Sequence, residues 1–512
     1  MFWKLDESTG TQRRIVSGLM LLHLAIVFPL AAKLSIGIDE VYTLKTTGEG
    51  LAHAIHRAIG FELQPPLYFA TLNLWRQAFG DLPLNSLFVA RMFSVACTFA
   101  TLFVAARLSQ QYLPRIHTPR LVGLLALHPF VIWAAVEARL YSLMLLISAL
   151  QLMTLYEGFL CGSDRCSRDE EVRRCRWRVA YLVLAVAGLY THYYSGFLLA
   201  VAGGVLVLQA RWRSVVVYLM TMGVVALCFV PMLFVLGNQI SSHTSGAEVM
   251  SLSLALKTVL WHVESFLLPV SFTVTETQQV VSAWVWRLLL LLIPILAVWK
   301  FRDTFFWKGS ATAIGLFVGV AISLVGVVLL TGTEMFALRH AVTLFLPATL
   351  ATFAFVASVG RGSIGSNRAI GWWSCAVFCF SAHSLIHNYT PTEKGGDFAR
   401  VSSYLEQHTE AGQPVAVFLP CVALALDHHY SGAGPLVALP RPEECETYDI
   451  REWKLSTPED IDRVISAVAP DNDVVWLVRS GVRVHLGVDL HWEVLDKWVA
   501  DGFEVEETVH FR

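Results

Sequence analysis

Four short runs of this sequence set acids, arginines and hydroxyl- or imidazole-bearing rings against strongly apolar stretches. The first is Asp39-Glu40 with Tyr42, followed by Glu62-Leu63-Gln64-Pro65-Pro66-Leu67-Tyr68. The second is Glu137-Ala138-Arg139-Leu140-Tyr141, shortly after His128-Pro129. The third is Tyr190-Thr191-His192-Tyr193-Tyr194, and the fourth joins Glu334 to Arg339-His340 at the start of a stretch that reaches Leu346-Pro347. A carboxylate in such a set can act as a general base or position a metal ion. An arginine can grip a phosphate through forked, charge-assisted hydrogen bonds. Each run also has a purely structural explanation. Asp39 and Glu40 can cap a helix start, Glu137 and Arg139 can pair locally, the tyrosines and His192 suit an interfacial belt, and Arg339 can snorkel. Charged groups at a membrane edge are costly unless they are used. Four such runs on one membrane face describe a polar cavity opening at the outer leaflet.

The elements that must carry these runs are membrane helices. Only 15% of the 512 residues are charged and the mean hydropathy is +0.56, too apolar for a soluble protein of this size. The pattern predicts about eleven spans, roughly at 15–36, 91–112, 121–136, 140–160, 179–193, 195–210, 214–236, 283–299, 311–331, 338–358 and 370–387. The stretch 66–80 is apolar but short and carries Arg76, which suits a helix lying on the surface. The apolar stretch after Arg13-Arg14 runs to about Ile36, long enough to span rather than serve as a cleaved leader. Arg115, Arg120, the run Arg165 to Arg178, Arg211, Arg213, Lys300, Arg302, Lys308, Arg361 and Arg368 then share one side, while 238–282 opposite holds only Lys257. This positive-inside pattern puts the N-terminus in the cytoplasm and Asp39, Glu40 and Glu137 outside. The run 161–178 contains Cys161, Cys166 and Cys175 but no Cys-x-x-Cys pair. Its six arginines among four acids read as an anchor on anionic lipid heads rather than a zinc site.

The tail differs in composition. Residues from Glu393 onward hold 22 of the 40 acids, so the chain divides into an apolar body, 1–390, and a soluble α/β domain, 391–512, on the outer side. Periodicity predicts helices at Asp397–Gln407, 457–468 and Leu490–Ala500, and strands at Val415–Leu419, Val474–Val478 and, as an edge, Phe503–Val509. Cys421 and Cys445 both fall there, where a disulfide can form. The long outer loop 238–282, with Trp261, His262 and Phe266, is a candidate cover or acceptor holder. No basic domain or RNA-binding motif points to nucleic acid.

Together the acidic pair after the first span, the Pro-Pro-Leu-Tyr helix start, the Phe79-Gly80 to Arg91 spacing, the Glu-Ala-Arg-Leu-Tyr run, Thr191-His192-Tyr193 and Arg339 resemble the GT-C class of membrane glycosyltransferases. The nearest pattern is the family-39-like group of protein O-mannosyltransferases and bacterial aminoarabinose transferases, over roughly residues 15–350. The resemblance implies a polytopic GT-C-like helical membrane protein, and the compact loops without a retention signal point to a bacterial inner membrane. It would take a polyprenyl-phosphate-linked sugar and transfer it, with inversion, to a lipid, glycan or protein acceptor at the outer face. It implies a catalytic set of Asp39 as general base with Glu40 and Glu137. Arg139 and Arg339 would grip phosphate, and Tyr42, Tyr141, His192, Tyr193 and His340 would line the substrate site. A divalent cation, Mg or Mn, enters only as a possibility, since no second pair of acids is evident. Where many relatives have Asp-His or a similar polar pair before Pro-Pro, this chain has Leu63-Gln64. A transporter or flippase of a lipid-linked or anionic solute is the main alternative. It predicts internal repeats and midplane charges, neither of which the sequence displays. A non-catalytic scaffold, and a polymerase or ligase of lipid-linked glycans, are the others weighed.

Overall fold

The computed structural model describes residues 10–80, 82–113, 118–161, 167–244, 251–267, 308–331, 338–359, 364–389, 397–443, 449–470, 473–485 and 488–511. In chain order its first helices are α1 (Gly10–Lys33), α2 (Ile38–Thr46), α3 (Leu51–Gly60), α4 (Leu67–Phe79), α5 (Ser86–Tyr112), α6 (Thr118–Leu127), α7 (Pro129–Val136) and α8 (Tyr141–Leu155). They are followed by α9 (Arg168–Leu189), α10 (Ser195–Leu208), α11 (Trp212–Thr244), α12 (Leu252–Leu267), α13 (Lys308–Thr331), α14 (Val342–Val359) and α15 (Ile364–Tyr389). The last are α16 (Phe398–His408), α17 (Pro420–Asp427), α18 (Pro458–Ser466) and α19 (Trp492–Gly502). Two compact units result: Met1–Ala32 with Arg91–Val235 and Val249–Thr390, and Lys33–Ala90 with Leu236–Glu248 and Pro391–Arg512. Residues 33–90 group with the tail, not with the apolar body.

Among the described residues, four stretches are long and apolar enough to cross a membrane: Gly10–Lys33, Ser86–Tyr112, Tyr141–Leu160 and Trp212–Gly237. A fifth is the bent pair α6 and α7, which turns by 55°. Shorter apolar helical stretches lie at Ser195–Leu208, Thr312–Gly326 and Trp373–Ile386. The expected span at 283–299 lies outside the described residues. The bend has a local cause. Proline disfavours the helical region for the residue before it, and His128 is extended, with its imidazole accepting the Phe130 N–H at 3.1 Å. Pro129 then starts α7, where a missing N–H costs nothing.

In the first unit, α13 packs along α14, and α8 along α9. The rings of Phe130, Phe266 and Phe345 meet at centroid distances of 4.9–5.2 Å, tying α7, α12 and α14 together. The expected outer loop 238–282 is thus in part a packed helix. Residues 252–267 form α12, with Phe266 and His262 buried. Gly188 on α9 lies so close to α8 and α10 that a β-carbon there would collide with Ser195 Oγ and the Gln151 amide. At the far end, a π-helical turn at Tyr156–Leu160 buries Glu157, which accepts from Arg107 (2.8 Å) and Gln111 (2.9 Å). Arg178 bonds the Gly158 carbonyl (3.0 Å) and Glu171 (2.7 Å), and the buried Arg174 meets Glu170 (3.2 Å). Two of the six arginines expected to anchor lipid heads are therefore held by protein, while Arg168, Arg173 and Arg176 are exposed.

The second unit has a parallel three-stranded sheet in the order β2 (Leu436–Leu439), β1 (Val415–Phe418), β3 (Trp476–Arg479), with Val415 opposite both Leu436 and Trp476. The central β1 is wholly buried, which is why it reads as an unbroken apolar run. A two-stranded antiparallel pair, β4 (Val484–His485) and β5 (Val488–Asp489), lies apart. Helices expected at 397–407, 457–468 and 490–500 appear as α16, α18 and α19. The expected edge strand at 503–509 is exposed chain without ladder pairing. Alternation alone did not make it a strand, because no partner edge receives it. Cys421 is a buried free thiol, and Cys445 lies outside the described residues.

Candidate active site

In the second unit, the first candidate run sits on the opening turn of α2. Gly37 is the N-cap, in extended conformation. Glu40 reaches back so that its Oε2 accepts the Gly37 N–H at 2.9 Å, while Glu40 N–H and Val41 N–H donate to Gly37 O at 3.0 and 3.1 Å. Glu40 thus supplies the N3 half of a capping box, since Gly37 has no side chain to return the bond. Glu40 is fully buried and Asp39 is half-buried. A carboxylate in the first turn also faces the positive end of the helix dipole. Tyr42 is buried with its ring edge-on to Phe61 at 5.0 Å.

The rest of 33–90 braces α2. At its C-terminal end, Arg76 of α4 donates to Leu44 O and Thr47 Oγ1, both at 2.7 Å. Asn73 donates to the Thr47 (3.1 Å) and Glu49 (2.6 Å) carbonyls. Thr46 donates to Glu62 (3.1 Å), just ahead of Leu63, whose φ of 52° is the left-handed region. Arg76 thus serves α2, and α4 buries Tyr68, Phe69 and Leu72, so 66–80 is a packed helix rather than one merely laid on a surface.

In the first unit, the second run forms an irregular link between α7 and α8. Glu137 ends α7 in extended conformation, and its carbonyl accepts the Ser94 hydroxyl at 2.6 Å. Non-helical backbone in an apolar body needs such partners, because lipid offers none. Glu137 and Arg139 are each 6% exposed, and Tyr141 is buried against Trp133 at 5.2 Å. Arg91 is completely buried and donates to the Ala31 carbonyl at 3.1 Å. The Tyr389 phenol at the end of α15 lies within electrostatic reach of both Glu137 and Arg91. Sequence reading noted Arg91 only as a spacing landmark and missed Tyr389. An arginine inside a predicted span was the available signal for the first, and Tyr389, just past the predicted span end, gave none.

The third and fourth runs meet in the same unit. His192 and His340 stand 6.3 Å apart between ring centroids, with Tyr194 at 5.0 Å from His192 and 6.4 Å from His340. His192 lies in the corner between α9 and α10 and its Nδ1 accepts the Tyr194 N–H at 3.1 Å. Arg339 and His340 lie on a short 3-10 turn, Leu338–Ala341, that leads into α14. The Tyr193 ring stands edge-on to Phe229 of α11, and Tyr194, part of the third run but not of the expected substrate-lining set, is seated with the two imidazoles. Glu334 lies outside the described residues. α7 joins this part of the unit through His128 and Phe130, whose rings lie 4.9 and 5.1 Å from Phe345 of α14.

Among the described residues, no group of three or more His, Cys, Asp or Glu side chains gathers as metal ligands would.

No family model matches the sequence, and no curated relative matches it. Solved structures do. The structure of ArnT from Cupriavidus metallidurans in the apo state superposes with a TM-score of 0.51 at 13% identity, covering 85% of this chain and 86% of that one. The fold is ArnT-like. A second ArnT structure from the same organism, bound to undecaprenyl phosphate, gives 0.45 at 15% identity over 92% and 90% of the two chains. An ArnT-like fold is the GT-C-like architecture that the sequence resemblance implies.

Proposed function

We propose that this chain is a membrane glycosyltransferase that moves a sugar from a polyprenyl-phosphate donor to an acceptor hydroxyl on the outer face of a bacterial inner membrane. The carrying observation is the burial of Arg91, Glu137 and Arg139 in an apolar helical body. Charge is retained there only at high cost, and a charged, lipid-linked substrate gives it a use. The ArnT-like fold agrees with this reading. In the reaction, the anomeric carbon–oxygen bond to the lipid phosphate breaks, its electron pair leaving with the phosphate. The acceptor oxygen forms the new bond from the opposite side, inverting the centre, and its proton passes to Asp39. Arg139 and Arg339 stabilise the charge that grows on the departing phosphate. Glu137 holds the arginines in place, while Tyr42, Tyr141, His192, Tyr193 and His340 shape the substrate surfaces of their own units. Glu40 serves the turn that presents Asp39. Eleven spans, a cytoplasmic N-terminus and an extracytoplasmic tail complete the proposal.

The test is transfer from radiolabelled polyprenyl-phosphate sugars in membranes, with wild type and Asp39→Asn at matched expression. Product from wild type, absent with Asp39→Asn, supports the assignment and identifies the acceptor. Equal product from both removes Asp39 from the chemistry. No product across several sugars moves the reading to transport, with flipping of the same lipid as the next assay.

A further inference from the structure

The α/β tail carries no residue of the proposed reaction, yet it seizes the chain immediately ahead of Asp39. His429, two residues past the end of α17, points its Nε2 at Ser35 and Ile36. That nitrogen accepts the Ile36 N–H at 3.3 Å and lies 3.3 Å from Ser35 Oγ. A ring nitrogen that accepts a backbone N–H carries no proton, so the Ser35 hydroxyl donates to it and the ring proton sits on Nδ1. Ser35 Oγ in turn accepts the Ala399 N–H of α16 at 3.2 Å. Ser35 and Ile36 are both buried, and neither backbone nor hydroxyl is left to water. One turn further on, α17 packs against α2, with the Tyr42 hydroxyl near the buried Cys421 thiol. The tail therefore holds α2 at both ends of a seven-residue stretch, 36–42, with Asp39 in its middle.

Without this grip, Gly37 leaves the approach to α2 free to swing, since glycine restrains its backbone least. The Glu40 cap fixes the turn internally but does not fix where the turn lies. We propose that the α/β tail is a positioning device for the Asp39 turn, with His429 as the positioning residue that locks Ser35 and Ile36 against α16 and α17. This deepens the function proposed above and rests on it. A displacement of about 1 Å at a reacting group can cost on the order of 100-fold in rate.

The experiment uses full-length protein in lipid nanodiscs and two readouts. The first is sugar transfer, resolved into kcat and KM for the acceptor. The second is the rate at which a maleimide modifies Cys421, quantified at that site by mass spectrometry. His429→Ala removes the acceptor nitrogen. His429→Gln restores an acceptor in the amide oxygen, and Ser35→Ala removes only the bridging hydroxyl. The expected result is a kcat lowered about 10- to 100-fold in His429→Ala, a smaller loss in Ser35→Ala, and partial recovery in His429→Gln. Cys421 labelling should accelerate in the same order. Wild-type kcat in His429→Ala overturns the proposal, as does a lowered kcat with unchanged Cys421 labelling. If wild type and Asp39→Asn transfer equally, the reading of the reaction fails instead. The labelling series alone then decides whether the grip exists.

Discussion

Asp39 and Glu40 are neighbours in the sequence, but the first turn of α2 gives them different duties. The Glu40 carboxylate is turned back onto Gly37 N–H, a bond its amide analogue can also make, whereas Asp39 stands one residue earlier and only half-buried. Glu40→Gln should therefore keep transfer within several-fold of wild type. Glu40→Ala should lower stability by about 1 kcal/mol through the lost hydrogen bond, and Asp39→Asn should abolish transfer at unchanged stability. Thermal unfolding alongside the transfer assay separates the three. The arginines allow a matching test. If Arg139 stabilises phosphate in the transition state, Arg139→Met should cut kcat by about 100-fold or more, measured at saturating donor. Arg139→Lys should recover little, because an ammonium cannot supply the fork. The candidate residues were legible because they are rare types in an apolar text. What was not legible is which atom each one spends on its own backbone. Capping was readable for the Asp39-Glu40 pair, but not that Glu40 is the one that caps, nor that Tyr194 rather than Tyr193 sits beside His340.

At the scale of elements, two contacts determine how helices hold their angles. The first is Gly188, where α8, α9 and α10 come together. Gly188→Ala would push a methyl into Ser195 Oγ and the Gln151 amide, with an overpacking cost of about 1–3 kcal/mol. Ser195→Ala in the same chain should recover part of it, a non-additivity that a double-mutant cycle of melting temperatures would display. The second is the Glu406 carboxylate of α16, which accepts the Ser431 N–H at 2.8 Å and its hydroxyl at 3.0 Å. These bonds, the backbone N–H first, hold Glu406 below its ordinary value of 4.5. A lowered carboxylate stabilises the fold in full above that ordinary value, and the contribution is lost as pH falls through the lowered one. Ser431 lies two residues past His429, so hydrogen exchange at the Ser431 amide, corrected for its intrinsic pH dependence, should quicken as pH falls below the ordinary carboxylate value. Glu406→Gln should remove that acid-induced change. Helix existence was readable from apolar runs, and so was the buried strand β1. The break at His128 was readable only in part. Pro129 marks it, but the 55° bend depends on the imidazole taking over as cap.

At the scale of the whole molecule, composition suggested a cut at 390, where the acids begin to accumulate. Contacts place Lys33–Ala90 with Pro391–Arg512 instead. Composition could not reveal this, because 33–90 is joined to the tail by the packing of α2 on α17 and by hydrogen bonds from buried residues such as Ser35, and these have no compositional signature. The grouping has a consequence for topology. Ser35 and Ile36 touch His429 directly, so the exit from α1 and the tail should share a compartment. The arginine-rich start of α9 should lie in the other, as the charge pattern requires. Two cysteines report on this: the native, exposed Cys175 of α9, and an Asp501→Cys substitution at the exposed end of α19. A membrane-impermeant maleimide added to intact spheroplasts should modify the Asp501→Cys position at once. It should modify Cys175 only after the membrane is opened. Labelling of both from outside, or of neither, would refute the two-sided arrangement and with it the placement of Asp39 at the outer face, whatever the transfer assay then gives.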